Sequence, residues 1–118
     1  MTQLEKLSST IITEYKKGVL TLAVMSQLQT PKYGYSLLKI LEGKGLSIEA
    51  GTLYPLLRRL EKQEILKSEW DTNSKPRKYY VLSDLGSELH KIVSKEWEVM
   101  SNQVRAILEE GPSNGICE

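Results

Sequence analysis

Apolar positions recur along most of this chain at spacings of three and four, and they switch to alternation over one stretch only. In residues 8 to 28, Ile12, Tyr15, Val19, Leu22 and Ala23 keep the helical interval, and the run VLTLAVM is apolar on nearly every side. The pattern predicts a helix buried on more than one face. The segment QTPKYGY ends it, because the residue before Pro31 is pushed out of α geometry. A second, shorter helix carries Leu37, Leu38 and Leu41 on one face and stops at EGKG, where glycine supplies the positive φ common at helix ends. The short piece LSI reads as a minimal strand.

The sharpest stripe lies in GTLYPLLRRLEKQ, where Leu53, Leu56, Leu57 and Leu60 fall at i, i+3, i+4 and i+7. The same wheel turns Thr52, Pro55, Arg59 and Lys62 outward, with Arg58 beside them. Pro55 conflicts with a helix start at Glu49 or Ala50, since it has no N–H to donate. The regular helix therefore begins near Tyr54 or has an irregular first turn. Next come ILKSEW and RKYYVL, which alternate, joined by DTNSKP, which consists of turn formers; together they predict a hairpin. Ser83 is the expected N-cap of a last helix from Asp84 to about Glu110, with Asp84 near the positive end of the dipole.

The expected fold class is thus mainly α with a small β-hairpin, in the order helix, helix, small strand, helix, hairpin, helix. Two short helices followed by a cationic hairpin are the winged form of helix-turn-helix, here over residues 8–82. A dimerisation helix over 83–110 and a disordered tail over 111–118 complete the expected division.

Charge sharpens this reading because it is unevenly placed. The formal net charge is only +1, yet Tyr54 to Tyr80 holds seven basic against four acidic residues, while Asp84 to Glu110 holds three against six. One part suits a polyanion and the other would be repelled by it. An exposed helix fits the major groove of double-stranded DNA, and flanking cations neutralise phosphates. Thr52, Tyr54, Arg58 and Arg59 are placed to read base edges or lock the helix on the backbone, with Lys62 on the same outward side. Lys75, Arg77 and Lys78 sit at the wing tip, where they add affinity with little sequence information. Tyr33 and Tyr35 open the second helix, in reach of phosphates. Solvated arginines on an ordinary surface helix remain the plainer account of the helix taken alone.

The last helix speaks to assembly. Leu85, Leu89, Ile92, Glu96, Val99, Gln103 and Ile107 follow a spacing near 3.5, and Val93, Trp97, Met100, Val104 and Leu108 thicken the stripe. At roughly 40 Å, from 1.5 Å per residue, it outruns so small a domain. Either it folds back on the first helix of its own chain, or it packs in a homodimer against the first and last helices of a partner. A dimer sets two recognition helices about one DNA turn apart, on a pseudo-palindromic site. Trp97, the largest side chain of the stripe, is plain packing or else faces its symmetry mate and stacks a planar aromatic effector. Trp70 is assigned to core or wing support.

YGYSLLKIL, EAGTLYPLLRRLEKQEIL and SKPRKYYVLSDLG together resemble the successive signature blocks of the PadR family of bacterial transcriptional regulators, over roughly residues 15 to 90. The resemblance implies a dimeric winged-helix repressor. Tyr33, Gly34, Tyr35, Thr52, Leu53, Tyr54, Arg58, Arg59, Arg77, Lys78 and Tyr79 occupy its motif positions. It also implies sensing of small aromatic or planar compounds. Glu64 departs from the pattern, since the family usually has glycine there.

Other classes fare worse. The one histidine, His90, has no cysteine neighbour or nucleophile in view, so no enzyme is expected. GKGLSIEAG lacks the lysine and hydroxyl ending of a phosphate loop. The single cysteine, Cys117, allows neither an internal disulfide nor a thiolate metal cluster and is expected to be inert; no cofactor and no metal is expected. No apolar run approaches the roughly 20 residues that span a bilayer, and MTQLEKLSST lacks a signal-peptide pattern, so a cytoplasmic location is expected. The rival binding class is a winged-helix module that docks protein without touching DNA.

Overall fold

The computed structural model describes residues 1–73 and 75–110. The expectations for the tail over 111–118 and for Cys117 lie outside the described residues.

The first helix, α1, spans Gln3–Gln27 and so begins earlier than residue 8. Thr2 and Glu5 form a capping box: the Glu5 N–H donates to Thr2 Oγ1 at 3.1 Å, and the Thr2 N–H donates to Glu5 Oε1 at 2.8 Å. Two otherwise orphaned amides are thereby satisfied. Strand β1 is Lys32–Tyr33, helix α2 Gly34–Gly43 and helix α3 Ala50–Lys62. Strands β2, Leu66–Asp71, and β3, Arg77–Leu82, form the hairpin, and helix α4 is Asp84–Glu110. The sheet is antiparallel in the order β1-β3-β2, so β3 lies in the middle.

The strand expected at LSI is not there. The third strand is instead β1, within QTPKYGY, where Lys32 pairs with Tyr80 and Tyr33 with Tyr79. Residues 44–46 serve as the C-cap of α2. Gly45 takes φ 90°, its N–H donates to the Glu42 carbonyl, and the Leu46 N–H donates to the Leu41 carbonyl at 2.9 Å. The proline conflict also resolves. Helix α3 runs straight through Pro55 from Ala50, and the Glu49 carbonyl accepts from both the Thr52 and Leu53 N–H groups at 2.9 Å. The regular helix therefore does not wait until Tyr54.

Leucines make the core. Leu53, Leu56, Leu57 and Leu60 of α3 meet Leu37 and Leu41 of α2, and Val24, Met25 and Leu28 close it from the end of α1. Leu66, Tyr80 and Leu82 seal it from the sheet. Each such aliphatic side chain withdrawn from water contributes about 1.5–3 kcal/mol. The α3 stripe is thus the largest single contribution to holding that helix in place.

Helix α3 ends as α2 does, with the Ile65 N–H donating to the Leu60 carbonyl and the Glu64 N–H to the Glu61 carbonyl, both at 2.9 Å. Here the left-handed position is filled by Glu64, at φ 65°. A side chain there crowds its own carbonyl, which glycine avoids. Glu64→Gly is therefore expected to stabilise the fold by about 0.5–1 kcal/mol, the relief of strain exceeding glycine's entropy in the unfolded chain. Urea denaturation with an unchanged m-value checks it, and a lower midpoint for the variant contradicts it.

Ser83 caps α4 as expected: the Gly86 N–H donates to Ser83 Oγ at 2.9 Å. The same hydroxyl donates to the carbonyls of Glu64 and Ile65 at 2.7 and 3.1 Å, which staples the start of α4 to the end of α3. His90 joins α4 to α1, its Nε2 lying 2.9 Å from Ser26 Oγ and 3.2 Å from Ser94 Oγ. The expectation of no nucleophile beside His90 is thereby corrected. No carboxylate accepts from this imidazole among the described residues, and the cluster acts as a tie between two helices.

The helices project beyond the core. The radius of gyration is 18.0 Å, against about 13.5 Å for a compact chain of this length. Leu4, Leu7, Ile11 and Tyr15 on α1 and Ile92, Val104, Ile107 and Leu108 on α4 are exposed. The burial on more than one face expected of α1 is met only near its C-terminus, from Val19 onward. Trp70 is 62 % exposed and so is not a core residue.

Candidate nucleic-acid interface

Helical geometry distributes the cations of α3 over its solvent side. Successive residues are about 100° apart, so Arg58 flanks the wing while Thr52 and Arg59 take the opposite flank, with Lys62 between. All four are exposed. No side chain of Arg58, Arg59, Lys62 or Lys75 makes a hydrogen bond or ion pair to a described neighbour, so each charge is available to an outside anion.

The wing cations divide differently. Arg77 is exposed, and its guanidinium carbon lies 4.2 Å from the centroid of the Tyr33 ring. Lys78 is half-buried and turned inward, with Nζ 3.3 Å from Glu61 Oε1 on α3 and 5.5 Å from the Tyr80 centroid. Alternation explains this: Lys78, Tyr80 and Leu82 share one face of β3, and the last two are buried.

The tyrosines also take separate roles. Tyr35 is 64 % exposed, with Lys39 Nζ 5.5 Å from its ring centroid. Tyr33 gives its hydroxyl proton to Asp71 Oδ2 and meets Tyr79 edge-on, at 6.1 Å between centroids. That hydrogen bond raises the Tyr33 hydroxyl above its ordinary pKa and holds the Asp71 carboxyl below the usual range. Tyr54 is half-buried against Gly34, where an added Cβ would lie 2.7 Å from Tyr54 Cε1. The glycine of YGY is therefore what lets the ring edge of the α3 tyrosine come up against the start of α2.

Between these elements runs an open groove of about 230 Å³, lined by Tyr33, Tyr35, Tyr54, Trp70, Arg77 and Tyr80 among others. Three residues of this region escaped the sequence reading: Glu61, Ser68 and Asp71. The Glu61 carboxylate accepts from the Ser68 hydroxyl and pairs with Lys78. The Ser68 hydrogen bond, and after it Lys78, hold its carboxyl below the ordinary value against the upward push of partial burial. Among the described residues no cluster of histidine, cysteine and carboxylate side chains could hold a metal ion, and no helix is long and apolar enough to cross a membrane.

The dimerisation candidates lie along α4. Leu89 and Val93 pack partly against the core, whereas Ile92, Met100, Val104, Ile107 and Leu108 are exposed. Trp97 is 47 % exposed, with no ring partner among the described residues.

A three-helix core, a hairpin wing and an α3 face with unpaired cations define a winged helix-turn-helix protein. The description "Transcriptional regulator PadR-like family" matches residues 21–92. The chain belongs to this family of DNA-binding transcriptional regulators. It is 45 % identical to a PadR family transcriptional regulator from Eggerthella lenta whose crystal structure superposes with a TM-score of 0.80, over 92 % of this chain and 97 % of that one. It is 32 % identical to a PadR-like transcription factor from Bacteroides fragilis, with a TM-score of 0.70 over 83 % of this chain and 98 % of that one. A protein of unassigned function from Lysinibacillus sphaericus is 26 % identical over 87 residues, 70 % of this chain and 80 % of that one.

Proposed function

We propose that this regulator is a homodimeric repressor that holds a pseudo-palindromic promoter site and is released by a small aromatic or planar effector. Residues 8–82 form the DNA-binding unit and 83–110 the dimerisation helix. Thr52, Arg58, Arg59 and Lys62 present α3 to the major groove, and Lys75 and Arg77 bring the wing to the adjacent backbone. Tyr35 reaches a phosphate from the start of α2. The effector lies against Trp97 at the subunit interface.

The observation that carries this reading is the division of the surface. Arg58, Arg59, Lys62 and Lys75 leave α3 and the wing turn with charges no described side chain engages, while exposed apolar side chains gather on the distal parts of α1 and α4.

Binding to promoter fragments, followed by anisotropy as salt is raised, tests it. Four unpaired cations in each of two subunits give about eight phosphate contacts, so affinity is expected to fall by about 10³–10⁵ between 50 and 200 mM salt. Flat aromatic cations or phenolic acids added to the complex are expected to quench tryptophan emission as the DNA leaves. Affinity that does not respond to salt would favour the protein-docking module instead.

A further inference from the structure

Two acids stand where a polyanion would repel them, Glu61 on α3 behind the hairpin and Asp71 at the turn end of β2, and each is tied to a different element. The Glu61 carboxylate, on α3, accepts from the Ser68 hydroxyl on β2 and pairs with Lys78 on β3 at 3.3 Å. One side chain thus fastens the recognition helix to both strands of the hairpin. Asp71, at the end of β2, accepts from the Tyr33 hydroxyl through Oδ2 and from the Asn73 N–H through Oδ1 at 3.1 Å. That joins the wing turn to β1.

These ties matter because the outer wing has little else to hold it. Strand β1 pairs with β3 only at Tyr79 and Tyr80, so from Lys78 outward the wing is a two-stranded ribbon. Such a ribbon is marginal in water without support. DNA must be met by α3 and the wing together, and a second contact strengthens the first only if their spacing is fixed.

We propose that Glu61 and Asp71 are positioning residues for DNA binding, fixing the wing relative to α3, and that Lys78 belongs to this clamp and makes no phosphate contact. The proposal rests on the DNA-binding reading and adds to it a role for acids that simple charge counting would call harmful.

The two views differ in sign. If the acids act only through charge, Glu61→Gln and Asp71→Asn bind DNA more tightly, as does Glu49→Gln, whose carboxylate makes no capping hydrogen bond at the start of the same helix. If they position the wing, Glu49→Gln tightens binding while the other two weaken it by about tenfold, the order of losing one charge-assisted hydrogen bond. Lys78→Met adds a second reading. A lost phosphate contact lowers the salt slope by about one for each subunit, whereas a lost clamp weakens binding and leaves the slope unchanged.

Hydrogen exchange of the β2 and β3 amides in the free protein is the DNA-independent readout. The clamp predicts faster exchange of the wing in Glu61→Gln and Asp71→Asn, with the α3 amides unchanged. Unaltered wing exchange, or tighter DNA binding by both variants, overturns the positioning role. Absence of wild-type DNA binding overturns the DNA reading, and with it that role, even if the wing exchange behaves as predicted.

Discussion

Gly86→Ala is expected to destabilise the protein by about 2–3 kcal/mol, although intrinsic preference points the other way. Alanine favours a helix over glycine by about 1 kcal/mol, and Gly86 lies in the first turn of α4. An added Cβ, however, would sit 2.1 Å from the Ile65 carbonyl oxygen and 3.1 Å from Leu82 Cδ2. That oxygen cannot step aside, because it accepts from the Ser83 N–H at 2.9 Å and from the Ser83 hydroxyl at 3.1 Å. Relief requires moving α4 off the end of α3, which breaks the staple and uncovers Leu82. Gly34→Ala makes a useful contrast. There the obstacle at 2.7 Å is the edge of the Tyr54 ring, a side chain that can tilt, so a smaller loss is expected. For a domain of this size the first substitution lowers the thermal midpoint by on the order of 10 °C. A midpoint for Gly86→Ala equal to or above that of the wild type would show that the α3–α4 junction is looser than its hydrogen bonds imply.

Much of this architecture was legible in the chain because it is locally encoded. The Leu53, Leu56, Leu57 and Leu60 stripe has a single helical solution, and all four are buried. Ser83 caps α4 through the short-range chemistry that its position predicts. The early start of α1 was legible too, in the Thr2-to-Glu5 spacing of a capping box and in Leu4, Leu7 and Ile11 at helical intervals ahead of Ile12. Strand β1 was not legible. Two residues show no alternation, and Lys32 and Tyr33 are extended because the edge of β3 offers them partners. The inward turn of Lys78 falls between these cases. Reading RKYYVL as cations at a tip conceals that every second residue shares a face, which places Lys78 with buried Tyr80 and Leu82. Once Lys78 faces inward, a carboxylate on the neighbouring helix is the partner to look for, and Glu61 supplies it. The approach of His90 to Ser26, 64 residues apart, leaves no trace in any local pattern.

If the protein is the proposed dimer, Met100→Glu combined with Val104→Glu is expected to convert it to monomers and lower its affinity for a two-half-site operator by about 10²–10⁴, the gain that linking two contacts provides. The two side chains lie one turn apart on α4 and are 49 % and 50 % exposed in the single chain. In a monomer the substitutions therefore place carboxylates in water at little cost, and they keep residues that helices tolerate. Across a dimer seam the same change buries four carboxylates without partners, each costing several kcal/mol. It also adds to the negative charge that α4 already carries through Glu96, Glu98, Glu109 and Glu110. The expected outcome is a scattering mass that falls from twice the chain mass to one, with the helical circular dichroism of the core retained. Binding to a single half-site should persist, because α3 and the wing lie outside the altered segment. A variant that stays dimeric would move the subunit interface away from this face of α4, leaving its exposed apolar row to be covered in another way.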